Sequence, residues 1–301
     1  MIREWDSERQ FAPQTDRDIS QGLNRLERDA GAVGHVVFSL VVAVLFLLPL
    51  VWMLGASVRQ VGLPPPRQLE WIPDPIELSN YVRIFELLPL ASYTLNSLEV
   101  VAVAVPLTII TASLAGFALA QIAPRPRAWI MGASLIALMV PVTALWLTRF
   151  IIYKWIGVLD SLWALILPSF MGTSPLFVLL FHWTFSRIPN ELYESARLDG
   201  AGAFRVWWQI AMPLSRASIV AVGVLAFVYY WSNFIEPLLY LNRQENYTLP
   251  IGLEALQQMQ PTNFPLLIAG AVVITVPVIV MFMFAQRFFL QETRGAGWLG
   301  R

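Results

Sequence analysis

The chain of 301 residues is 57% apolar and only 13% charged, against about a quarter charged in soluble domains, which excludes an ordinary soluble globular protein. Twenty basic residues balance twenty acidic ones, so there is no basic field to suggest a nucleic acid partner. Cysteine is absent, which removes disulfides and thiolate chemistry, and His35 and His182 stand alone without a second ligand at helical spacing, so no metal site is expected.

Residues 1–32 carry five arginines and seven acids and are expected to form a disordered tail, with at most a turn or two of surface helix in "ISQGLNRLERDAG". A membrane crossing needs about 20 mostly apolar residues. Six segments qualify: 33–54, 97–121, 128–147, 162–185, 217–241 and 264–290. The first is too long for a secretory signal and follows more acids than bases, so it is read as a retained span. The loop 62–86 is rich in proline and aromatics, which suits an extended surface leading into a short helix. Glu99 lies near the start of the second span and is expected to face solvent. Pro106, Pro141, Pro168, Gly172, Pro175, Pro237 and Pro277 interrupt spans, and the carbonyls they free must find partners within a bundle. The fourth span, "LILPSFMGTSPLFVLL", is the most broken.

Between the fourth and fifth spans the stretch 186–216 turns polar. Pro189 suits a first helical position, Glu191 favours the positive N-terminal end, and Gly200 suits the left-handed residue that closes a helix. Phe204, Trp207, Trp208 and Ala211 then recur at i, i+3, i+4 and i+7, as on an interfacial helix that Pro213 would end. The spacing predicts two short helices bent at Gly200, although a solvated connector satisfies it equally well. In the fifth span "YYWSNFIEP" combines aromatic faces with hydrogen-bonding groups. Tyr230, Asn233 and Glu236 are therefore candidates to touch a polyhydroxylated solute; the rival reading has them packing helices together, with Asn233 bonding across an interface. Residues 291–301 form a second tail. With the N-terminus inside, the inner segments hold 14 basic residues and the outer ones six, which puts both termini and the stretch 186–216 in the cytoplasm.

The residues "ESARLDGA" at Glu194 to Ala201, followed by "IAMP" with nine residues between Gly200 and Ile210, resemble the EAA loop of the permease subunits of ATP-binding-cassette importers. Ser195 stands where that pattern has alanine. "NSL" at 96–98, "AGFALAQ" at 115–121, "VLDSLWALILP" at 158–168, "NYTLPIGL" at 246–253 and "QRFFLQ" at 286–291 extend the resemblance over nearly the whole chain. They are similar to carbohydrate permeases of the maltose-transporter type, and to the six-span MalG-like partner more than the longer MalF-like one. The C-terminal "GAGWLGR" and "WSNFIEPLL" in the fifth span depart from the usual pattern.

The resemblance implies an all-α, six-span permease of the type I importer fold, spanning 33–290 in a prokaryotic inner membrane. Its partners would be a second, MalF-like permease, two ATPase subunits, an extracytoplasmic solute-binding protein and a sugar or polyol. It further implies that Glu191, Glu194, Ser195, Ala196, Asp199, Gly200 and Ala201 couple to an ATPase: Glu194 by an ion pair, Ala196 and Gly200 by close approach, Asp199 at the bend. The loop 242–263 would reach into the binding protein. ATP and magnesium would belong to the partners. The chain itself has one lysine, Lys154, and no P-loop sequence around it; it also lacks an HExxH pair. A self-sufficient carrier or channel, and a membrane enzyme, are the rival classes.

Overall fold

The computed structural model describes the backbone of residues 14–296 and the side chains of residues 34–288. Among the described residues all regular structure is helical. Helix α1 (Gln14–Ser57) is long enough to cross once and leads to the short helix α2 (Ser79–Leu87). A long α3 (Leu90–Gln121) returns, followed by α4 (Pro124–Met139) and α5 (Val142–Ile156). Next come α6 (Trp163–Ile166), a tight turn (Leu167–Met171) and α7 (Pro175–Phe185), which together make one broken crossing.

The centre of the molecule is α3. Ser97, Val101, Ala104, Thr108, Ala112 and Gly116 recur every three or four residues and are all buried, so one stripe of small side chains faces the bundle. That stripe lets α7 come close. A Cβ on Gly116 would stand 2.7 Å from the Phe181 Cβ and 2.8 Å from the Val178 carbonyl oxygen. Helix α11 (Arg216–Trp231) packs on the other side of α3, and α14 (Phe264–Ala296) closes the group against α11 and α1. The remaining surface is uncovered: α4 buries no side chain, and Trp129 and Met139 are both 82% exposed.

Several expectations need correction. Residues 14–32, expected as a disordered tail, continue α1 as helix, and the end of α14 likewise runs past residue 290 to Ala296. Residues 297–301 lie outside the described ones. The second span begins at Leu90, seven residues earlier than its apolar run, because Pro89 precedes it with a backbone that starts a helix. The third is not one straight crossing. Pro141 cannot donate a hydrogen bond and holds Val140 extended, so α4 and α5 meet at 94°. The fifth stops at Trp231 and restarts as α12 (Ile235–Tyr240). By contrast Pro106 and Pro277 sit within unbroken helices.

The loop 242–263 is itself partly helical. It contains α13 (Leu249–Met259), whose Leu249, Ile251, Gly252 and Leu256 are buried against α3 and α14. The Asn96 amide donates to the carbonyls of Glu245 (2.7 Å) and Tyr247 (2.9 Å), and the Ser97 hydroxyl accepts from the Leu249 N–H (2.9 Å). The "NSL" triplet is thus the clamp for this loop. At the end of α1 the fully buried Asn80 plays a similar part, donating to the carbonyls of Ser57 and Arg59.

The Gly116 crossing yields a test. Gly116→Ala forces α3 and α7 apart and should lower stability by about 1–3 kcal/mol, the range for overpacked sites, read as an earlier thermal transition of the detergent-purified chain.

Candidate functional site

Two regions bring polar side chains together where the rest of the surface is apolar. The first is the bent stretch after α7. Pro189 has extended backbone and precedes the helix instead of entering it, so α8 runs Asn190–Leu198. Its end is closed by two reciprocal bonds: Gly200 N–H to Arg197 C=O (3.0 Å) and Ala201 N–H to Ala196 C=O (2.9 Å). This is the Schellman arrangement, and it needs Gly200 in the left-handed region, where φ is 78°. Within the chain nothing lies within 4 Å of a Cβ placed there, so glycine is demanded here by conformation and not by crowding. Asp199 caps the helix just before the bend.

Helix α8 has two faces. Glu191, Glu194, Ser195 and Leu198 fall at i, i+3, i+4 and i+7 and are all exposed, Leu198 by 89%. On the opposite face Tyr193 is buried, its hydroxyl donating to the Phe185 carbonyl (3.1 Å) and its ring set edge-on to Phe117. Burial pushes the Tyr193 phenol up to about 12, so it stays a neutral donor. Arg197 donates to the Gln121 side chain at the end of α3 (2.5 Å), and Ala196 and Ala201 pack on the core. Tyr193, Arg197 and Leu198 escaped the sequence reading. A four-residue periodicity inside so short a helix was their one signal.

A continuous helix from Ala203 to Leu214 follows, drawn as α9 (Ala203–Val206), a wide π turn (Trp207–Ala211) and α10 (Met212–Leu214). The π turn rotates the phase by a residue. The expected single stripe therefore splits: Trp207 and Ala211 are buried, while Phe204 and Trp208 are exposed by 66% and 58%. Pro213 does not end this helix. The end comes at Ser215, whose hydroxyl donates to the Ala211 carbonyl (2.7 Å), and α11 leaves at 85°.

The second region lies where α5 meets α12. Arg149 on α5 donates to Glu236 on α12, which is 97% buried. Glu236 takes a further bond from the Asn233 amide (2.9 Å) and lies 3.4 Å from the Tyr229 hydroxyl; Asn233 in turn accepts the Glu236 N–H (3.3 Å). Within this chain Asn233 therefore caps its own helix restart. Tyr230 points elsewhere: its hydroxyl meets Thr173 (2.7 Å), which meets Thr108 (2.5 Å), a buried relay at the bundle centre. The structure thus brings Asn233 and Glu236 together, leaves Tyr230 apart, and adds Arg149, which the charge count had assigned to an outer loop. A buried acid demands a counter-charge, and Arg149 inside "VTALWLTRFIIYKWI" was the signal for it.

Two grooves flank the pair. One of about 350 Å³ is lined by Val142, Trp146, Tyr229, Asn233 and Glu236. The other, about 470 Å³, is lined by Thr148, Arg149, Tyr153, Phe170 and Thr173. Glu99 is exposed on the surface of α3; His182 is buried beside Ser186, and the described residues contain no cluster able to hold a metal ion.

Above the pair, Asp160 fastens the outer loops. Its carboxylate accepts the backbone N–H groups of Asn242 and Arg243 (2.9 Å each) and the Arg243 guanidinium (2.6 Å), and its carbonyl accepts from Asn246 (2.6 Å). These bonds, the Arg243 N–H first, hold its carboxyl well below the usual carboxylate range.

Broken membrane helices around a buried ion pair, with an acidic amphipathic helix fastened to one end of the bundle, define a membrane transport subunit. Residues 92–295 match the family described as binding-protein-dependent transport system inner membrane component, and the chain belongs to it. It is a multi-pass permease subunit of the ATP-binding-cassette importers. Curated relatives include the arabinooligosaccharides transport system permease protein AraQ of Bacillus subtilis (strain 168), 31% identical over 275 residues that span 89% of this chain and 96% of the relative. The sulfoquinovosyl glycerol transport system permease protein SmoH of Agrobacterium fabrum is 28% identical over 84% of this chain and 89% of its own length. In fold, the chain superposes on a chain of a bacterial ABC transporter involved in import of the acidic polysaccharide alginate. The TM-score there is 0.68 at 20% identity, covering 88% of this chain and 98% of that one.

Two outcomes follow from this geometry. Arg149→Met strands a buried carboxylate and should cost about 3–5 kcal/mol, while Arg149→Met with Glu236→Leu should cost less than the single change, measured by denaturation in mixed micelles. A carboxyl held low in the folded state stabilises fully above its unfolded value of about 3.9 and loses that contribution only as pH falls through the folded value. Amide-exchange protection of Asn242 and Arg243, corrected for intrinsic rates, should therefore persist from neutral pH to about pH 4 and be lost at neutral pH in Asp160→Asn.

Proposed function

We propose that this chain forms half of the translocation pathway of an ATP-driven importer for a sugar or related polyol, and that α8 receives the motion of a cytoplasmic ATPase subunit. The observation that carries this reading is the division of α8 into an exposed stripe, Glu191, Glu194, Ser195 and Leu198, and a fastened face, Tyr193 and Arg197. An acidic row with one naked leucine suits a basic cleft with an apolar floor better than it suits water. Force delivered there reaches α7 through the Tyr193 bond to Phe185, and α3 through Phe117 and Gln121. It reaches α11 through the helix 203–214. The helix end closed by Ala196, Gly200 and Ala201, with Asp199 at the cap, keeps the two arms at a set angle.

The remaining parts of the reading follow. The engine sits in two partner ATPase subunits that bind ATP and magnesium, since the single lysine here has no phosphate-binding loop. A second permease covers the bare surfaces of α1, α4 and α5, and an extracytoplasmic solute-binding protein delivers solute near the loop 242–263. The excess of basic residues on one side supports a cytoplasmic position for both termini and α8. Related permeases named for arabinooligosaccharides, galactooligosaccharides and trehalose support a carbohydrate as cargo.

Co-purification of the assembled importer tests the coupling. Glu194→Arg reverses the stripe, and Gly200→Pro forbids a φ of 78°. Each should reduce ATPase retention by at least about tenfold, equivalent to about 1.4 kcal/mol. Unchanged retention in both, with solute still moved, would instead describe a carrier that works alone.

A further inference from the structure

The ion pair between α5 and α12 is placed oddly for a staple. Glu236 is sealed on the side of its own helix by Asn233 and spends one oxygen on Arg149. The Arg149 side chain is 22% exposed. Its Nη1 donates to Glu236. Arg149 borders the groove that Thr148, Tyr153 and Thr173 also line, while Glu236, Asn233 and Tyr229 border a second groove. The cation thus lies on one apolar trough and its counter-charge on the next, among Val142, Ile152 and Phe170.

Resting on the reading of this chain as half of a solute path, we infer that Arg149 and Glu236 form a solute-binding pair that selects neutral polyhydroxylated molecules against anionic ones. A hydroxyl in the groove that Arg149 lines can accept from the guanidinium while Glu236 keeps its own bond to it, so a neutral sugar leaves the pair undisturbed. An acidic sugar does not. Its carboxylate would have to draw Arg149 away and leave Glu236 buried beside a second negative charge. Arg149 and Glu236 are the ionisable acid and base among the residues lining the two grooves, so their charges cancel there. Aromatic faces at Trp146, Tyr153 and Tyr229 complete the match to the apolar faces of sugar rings.

The test uses the assembled importer in lipid nanodiscs, without its binding protein, so that the membrane site alone is read. Saturation-transfer NMR is recorded with three probes: arabinotriose, galactotriose and the trisaccharide of galacturonic acid. The native complex should show transfer to a neutral probe and at least about tenfold less to the uronate. Glu236→Gln leaves an unbalanced cation and should reverse that ratio. Arg149→Lys keeps the charge balance and the assembly but replaces the planar fork by a shorter point charge that cannot hold Glu236 and reach the groove in the same geometry, so neutral-probe transfer should fall while the thermal transition stays in place. Native transfer that is equal for neutral and acidic probes, or absent for all of them, overturns the inference. So does Arg149→Lys binding as the native chain does, which would mark the pair as a staple or as ground covered by the second permease. A complex that retains its ATPase and fails here sinks this pair alone, whereas loss of the α8 coupling is read separately by co-purification.

Discussion

Hydrocarbon offers no partner to a polar group, so every break in a membrane helix has to be satisfied from within the protein. That constraint organises this chain. Its helices are interrupted at Val140–Pro141, at Gly172–Thr173 and at Ser232–Phe234; backbone bonds close the first, and side chains answer the other two. Thr111 donates to the Ser169 carbonyl, Thr173 links Thr108 to Tyr230, and Asn233 caps the restart of α12. Arg149 and Glu236 tie the segments beyond two of these breaks into one body, helped by the edge-on rings of Tyr153 and Tyr240. The broken helices are therefore defined shapes and not loose ones.

The same logic explains the division of labour along the membrane normal. Toward one end, Asp160, Asn96 and Ser97 hold loops to the bundle through backbone groups, which leaves their side-chain tips little freedom. At the other end α8 is held by only a few contacts, those of Tyr193, Arg197 and its small residues, and shows the rest of itself to the outside. A helix held firmly on one face and bare on the other transmits force from whatever occupies the bare face. Between the two ends runs α3, close-packed through Gly116, and α6, α7, α11 and α13 all pack on it.

The sequence made the class, the crossings and the bend at Gly200 legible because each has a local cause: length of an apolar run, or a residue able to take positive φ. Pro141 and Pro237 announced breaks but not angles. Pro106 and Pro277 announced breaks that do not exist, since tertiary packing overrides a single lost hydrogen bond. The polar pair was half visible. Glu236 stood out within its span, but its partner is 87 residues away, and no periodicity reports contacts at that distance. The phase of Trp207 and Trp208 was misjudged for a different reason: the π turn inserts a residue into a pattern that assumes a regular helix. Tyr193, which fastens α8, looked like any aromatic beside charged residues.

The central claim is that α8 moves as one rigid piece with the adjoining ends of α3 and α7 and with the start of α4, which Arg127 bonds to the Ala120 and Ile122 carbonyls. The chain has no cysteine, so spin labels can be introduced at the exposed Ser195 and Arg125 without further changes. Their separation is measured by pulsed electron paramagnetic resonance in the assembled importer, with and without bound nucleotide, alongside the distance from Ser195 to a label on the partner permease. The account predicts a constant Ser195 to Arg125 distance while the distance across the two permeases changes; an α8 that shifts against Arg125 on nucleotide binding would contradict it.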